Sequence, residues 1–300
     1  MKTLTSLIKR NSKMFFKDKG MFFTSLITPL ILLVLYSTFL AKVYKDSFLM
    51  SLPTGFDVTD KLINGAVGAQ LFSSLLAVCC VTVAFCSNML MVQDKANGTI
   101  KDLTVSPIRS STLALGYYIS TAVTTLIICF VAMGVSLIYI AATGWFLTAA
   151  DILLLALDIF LLVMFGTALS SIIGFFLSSQ GQISAVGTVV SAGYGFICGA
   201  YMPISQFGDG LQKVISFLPG TYGTSLLRNH AMRGVYEEMS AQNIPDEVIE
   251  AIKDALDCNL YFFENQVPLP VMYIILGGSV ALLMGVYVII NIALAKRAKQ

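Results

Sequence analysis

The sequence predicts an all-α membrane protein with six transmembrane helices, an N-terminal amphipathic interfacial helix, and a re-entrant outer hairpin between spans five and six. Two observations carry the class. Of 300 residues, 56% are apolar and only 12% are charged, with a mean hydropathy of +0.81; a soluble domain has about 25% charged residues. The apolar residues also gather into six runs of about 20 or more, the length at which a helix crosses roughly 30 Å of hydrocarbon. In that layer each backbone polar group must be satisfied within its own segment, which selects helices. One compact helical bundle, residues 1–300, accounts for the length.

Residues 1–20 are basic. Leu4, Leu7, Ile8, Met14 and Phe15 share one helical face, while Lys2, Lys9, Arg10, Lys13 and Lys17 fall mostly on the other. This reads as an interfacial helix on anionic lipid, with a disordered basic flank as the alternative. The spans follow as Met21–Leu40, Leu62–Val92, Leu113–Ala142, Ile152–Leu177, Ile183–Met202 and Val271–Leu294. Met21–Leu40 is too long for a signal-peptide core and lacks a small-residue cleavage site after it. Trp145 is an interface anchor after the third span.

Counting Lys and Arg in the connections sets the orientation. Twelve lie on the side holding both termini and the connection after span two, and seven on the other, four of them in the long last loop. Both termini are therefore expected in the cytoplasm, and the expected location is a bacterial plasma membrane, crossed several times.

The loop 203–270 is the large extramembrane region. Phe207, Leu211, Val214, Ile215, Phe217 and Leu218 suit a short amphipathic helix, Pro219-Gly220 breaks it, and an apolar stretch Tyr222–Val235 follows. Two short helices around such a break suggest a re-entrant or interfacial hairpin, with Pro219, Gly220 and Tyr222 at its turn. Val248, Ile249, Ile252 and Leu256 then give an acidic stretch helical spacing, an outer cap. Five of the six cysteines sit in apolar runs as small hydrophobes. Cys258 alone falls in a polar region, where a free thiol or a bridge between two chains remains open.

Charged residues within the spans are few. Asp158 is the one ionisable residue well inside a span, with no partner of opposite sign in any other. It is a possible intramembrane polar site, either functional or hydrogen-bonded. Arg228, His230 and Arg233 read as a wetted helix face, with an anion site as the sharper alternative. Small residues recur every four positions in three spans: Gly166, Ser170 and Gly174; Gly187, Ser191, Gly195 and Gly199; and Gly277, Ala281 and Gly285. Such stripes admit close helix packing.

The connection 93–112 is the most informative polar segment. Asp94, Asn97, Gly98, Thr99, Leu103, Ser106 and Pro107 frame a short stretch in which Ile100, Leu103 and Val105 give one apolar side. Either a plain loop or a short helix suited to a partner's groove fits. Asn97-Gly98-Thr99, Leu103 and Ser106-Pro107 resemble the segment after the second span of ABC-2-type transporter permeases. Leu218-Pro219-Gly220-Thr221-Tyr222, then Leu226-Leu227-Arg228 and Gly234, are similar to that family's pattern after the fifth span. Gln93-Asp94-Lys95 departs from the more usual Glu-Arg-like pair, and the acidic stretch 236–264 lies outside the resemblance.

The resemblance implies a coupling helix in 93–112 that contacts a separate ABC ATPase subunit, which carries ATP and Mg. It implies a second permease copy, identical or different, and a path or dimer interface along the fifth span. The chain itself has no P-loop, no metal-ligand spacing around His230 and no nucleophile elbow. No cofactor, catalytic residue, metal or nucleic-acid partner is expected in it. Two rivals stand beside an exporter subunit. One is an autonomous carrier or channel; the other is a membrane-embedded lipid-modifying enzyme that would depend on Arg228, His230 or Asp158.

Overall fold

The computed structural model describes residues 2–42, 45, 46, 48, 59–105 and 108–297. The chain opens with α1 (Lys2–Lys17) and α2 (Lys19–Leu35), bent by 75° at Asp18. The Asp18 carboxylate caps α2, accepting from the Met21 amide at 3.0 Å. A π-helical turn, Tyr36–Leu40, extends it. After α3 (Asp60–Ala96) comes the short α4 (Thr99–Val105), then α5 (Ser110–Thr143), α6 (Ala149–Phe176) and α7 (Gln180–Ile197). A 3₁₀ turn at Ile204–Gln206 leads to α8 (Asp209–Ile215), α9 (Pro219–Ala241) and α10 (Asp246–Ala255). A two-stranded hairpin follows, β1 (Leu260–Phe262) against β2 (Asn265–Val267), antiparallel with Leu260 opposite Val267. It feeds α11 (Leu269–Arg297).

Among the described residues, α3, α5, α6 and α11 are long and apolar enough to cross a membrane. The bent pair α1–α2 passes the same test as a unit. The expected fifth span is the 18-residue α7, rich in Gly, Ser and Gln, and it is not among them.

α3 is the axis. It packs against α2, α5, α6, α7 and α9, and 94% of its most apolar stretch is buried. That position explains its polar content. Gln70, Ser73, Ser74, Thr82, Ser87 and Asn88 are all buried, which is tolerable where neighbouring helices supply partners. Asn88, for example, donates to the Ser170 carbonyl at 2.6 Å.

Three expectations change. α1 does not simply lie on lipid: Leu7, Asn11 and Phe15 are buried and α1 packs on α5. The expected break falls between α8, which ends at Ile215, and α9, which Pro219 starts, because its missing N–H costs nothing in the first turn. The resulting α9 is not a surface stretch. Gly223 lies on Leu162, His230 on Asp158 and Arg233 on Asp151, so α9 runs antiparallel beside α6. The β-hairpin is an addition to the expected all-helical chain.

Candidate functional site

The α4 end of the bundle is built from α3 outward. Gly98 takes φ +78°, the left-handed conformation glycine allows, and ends α3 so that α4 can turn away. Ile100 and Leu103 of α4 are half-buried against the bundle, while Ala96, Asn97 and Asp102 are exposed. Thr99 is the first residue of α4. Ser106 and Pro107 lie outside the described residues.

Asp94, grouped with this segment by its place in the sequence, is buried and already engaged. It accepts from Arg10 of α1 at 2.9 Å and from the Tyr117 hydroxyl of α5 at 2.5 Å. These charge-assisted bonds join α1, α3 and α5 at one point. Nothing in the sequence spacing links Arg10 to Asp94, 84 residues away. On the opposite side of α3, Lys95 donates to the last carbonyls of α6, Gly174 at 3.1 Å and Phe175 at 2.6 Å.

A second feature lies between α2, α3 and α7. A groove of about 690 Å³ is lined by Ile27, Ile31 and Leu35 of α2, Met89 of α3, and Gly187 and Ser191 of α7. The four-residue stripe of α7 therefore divides. Gly187 and Ser191 face this groove, while Gly195 and Gly199 serve the helix terminus. Gly195 is pressed by Tyr201. Gly199 has φ +73°, and the Ala200 and Gly199 amides donate back to Gly195 and Phe196 at 2.8 and 3.1 Å, a Schellman C-cap.

The hairpin end holds two buried polar clusters. Asp158, fully buried, accepts from the Tyr273 hydroxyl of α11 and pairs with His230 Nδ1 of α9, each at 2.6 Å. The sequence offers Asp158 no partner of opposite sign in the expected spans, and the structure supplies a hydrogen-bonding one, His230 of α9. Arg228 and His230 are likewise not a wetted face, being 1% and 6% exposed.

The Arg228 guanidinium pairs with Asp257 at 3.0 Å, donates to Ser74 of α3 at 3.3 Å, and reaches the Gly199 carbonyl. Arg233 is half-exposed and pairs with Asp151 at 2.8 Å. In the first turn of α9, Gly220 lies under Tyr194, and Tyr222 donates to the Ser216 carbonyl at 2.5 Å. Cys258 is buried and free, and burial pushes its thiol up to about 11.

Among the described residues, no group of three metal-ligating side chains is present. Arg228, His230 and Asp158 all bond to the protein itself.

Long apolar helices around a buried polar axis, with a short helix packed at one end, define a helical membrane protein. The ABC-2 type transporter family model matches residues 2–231, and the chain belongs to that family. It carries that family's transporter membrane domain. No curated protein and no solved structure matches the chain.

Proposed function

We propose that the chain, residues 1–300 as one permease domain, is the membrane subunit of an ATP-driven exporter. It is moved by a separate ABC ATPase subunit that carries ATP and Mg, and it works beside a second permease copy in a bacterial cell membrane. In this reading α2, α3, α5, α6, α7 and α11 are the six spans, and both termini are cytoplasmic. α8 and α9 form the re-entrant hairpin, which the antiparallel run of α9 along α6 supports. The groove at Gly187 and Ser191 lines the path or the interface with the second copy.

The observation that carries the proposal is α4 and the turn before it. The apolar side of α4 is docked on the bundle, its other side is open to a partner, and Asp94 fastens its base to α1 and α5. Asn97, Gly98, Thr99, Leu103, Ser106 and Pro107 form the coupling segment, while Asp94 holds that segment in place rather than touching the ATPase. Closure of the ATPase dimer drives α4, and the bundle shifts between states of different exposure.

The test is co-purification of the ATPase with wild type and with Leu103→Asp. The variant should lower permease-stimulated ATP hydrolysis at least about tenfold, read as kcat against KM. Unchanged association together with unchanged stimulation would overturn the coupling assignment.

A further inference from the structure

We propose that Lys95 is a positioning residue that hands the displacement of the α4 end on to α7, the groove-lining helix. The inference rests on the exporter reading and assigns a second transmission route within it, apart from the Asp94 tie.

The last carbonyls of a helix have no partner within it, and a cation there is favoured by the helix dipole. Lys95 supplies both for α6. Its ammonium donates to Gly174 O and Phe175 O and sits 4.7 Å over the Phe175 ring. A surface lysine would gain little from such a contact, but this side chain is half-buried.

The bond also ends a seam along which glycines of α6 bring it close to α3, Gly166 against backbone and Gly174 against the Asn88 and Met91 side chains. A Cβ on Gly166 would sit 3.0 Å from the Cys80 carbonyl and Val81 Cα; one on Gly174 would sit 2.5 Å from Asn88. Between those points Asn88 donates to Ser170 O. Helices in such contact cannot slide past each other without collision, and Lys95 fixes the axial register at the end nearest α4.

From there the chain is short. α6 ends at Phe176, and Ser179 already caps α7 through a reciprocal pair with Gln182. α7 itself leans chiefly on α3. Displacement of the α3 end therefore reaches α7 through two rigid contacts and a three-residue connection. Asp94 and Lys95, adjacent in sequence, hold different helices. Asp94 grips α1 and α5, while Lys95 grips α6 and, through it, α7.

Spin labels at Ala96→Cys and Ser178→Cys, both exposed sites, report the tie by pulsed electron resonance in lipid nanodiscs. The native cysteines are buried, and Cys86, which lines the groove, is first replaced by Ala. The distance distribution should be narrow in the otherwise wild-type chain, broad with Lys95→Met, and narrow again with Lys95→Arg, which keeps a cationic donor. An unchanged distribution in Lys95→Met overturns the tie.

Its use in transmission is read in the complex with the co-purified ATPase, labelled at Ala96 and Val189. ATP with vanadate should shift that distance in wild type and Lys95→Arg. In Lys95→Met the shift should be lost while ATP hydrolysis persists. A shift that survives in Lys95→Met, or loss of ATPase association in that variant, overturns the proposal. If no ATPase associates with the wild-type chain, the exporter reading fails instead, and the nanodisc measurement still decides the tie.

Discussion

The two ends of the bundle use the same chemistry in different surroundings. At the α4 end a carboxylate, Asp94, meets Arg10, whose side chain is still 29% exposed. At the hairpin end Arg228 and Asp257 are 1% and 5% exposed. The Coulomb attraction of a dry pair is several times that of a wet one, but so is the cost of leaving one member alone. Asp94 is as buried as Asp257, each at 5%, so at the α4 end water can take over only the Arg10 side of the tie. The hairpin tie holds α3, α9, the α7 terminus and the outer segment in one arrangement. In an exporter the first suits the end that is pushed, and the second the end that must keep its shape while pushed.

The sharpest way to break this comparison is Arg228→Met. It strands Asp257 in a dry site and should cost about 3–5 kcal/mol, read as a lowered thermal unfolding midpoint in nanodiscs. The double variant Arg228→Met/Asp257→Asn, which removes the stranded charge, keeps an acceptor for the Ile204 amide and tolerates the positive φ at 257, should recover part of that loss. A single variant with wild-type stability would mean the pair is wetter than its burial indicates.

Asp94→Ala sharpens the other arm. Arg10 can turn to solvent, so the loss should be smaller, about 1–3 kcal/mol by the same measurement, chiefly from the orphaned Tyr117 hydroxyl. If it matches or exceeds the Arg228→Met loss, the two ends do not differ as described.

The smallest effect concerns Cys258. Its thiol is buried and, with a value of about 11, neutral at ordinary pH, so it is neither accessible nor nucleophilic. A maleimide should leave it unmodified until the chain unfolds, and no chain-to-chain disulfide should form under oxidation. Rapid labelling of the folded chain would show that the hairpin end is open to water.

Much of the fold was legible because hydrocarbon imposes length and apolarity on anything that crosses it. The long runs at α3, α5, α6 and α11 stand out for that reason. α7 was harder to place, since 18 residues with several Gly and Ser satisfy the pattern only partly. The charged ties were not legible at all. Arg10 with Asp94 and His230 with Asp158 are joined only by tertiary packing, and no local spacing reports them.

The small-residue stripes show the limit most clearly, because one motif meets three fates. Gly166, Ser170 and Gly174 form the α3–α6 seam. The stripe of α7 divides between groove and C-cap. Gly277 and Gly285 of α11 face no atom that an added Cβ would touch. A stripe states that close approach is permitted, and only the packing says by what.

The burial of α3 bears on how the molecule is made. Synthesis runs from the N-terminus, so α3 emerges before α5, α6, α7 and α9, the helices that will cover most of it. Its buried hydroxyls and amides must meanwhile be tolerated by lipid or by the insertion machinery, at some cost in each polar group. The innermost helix is thus translated before most of the helices that cover it, and its surroundings are completed only when α9 arrives.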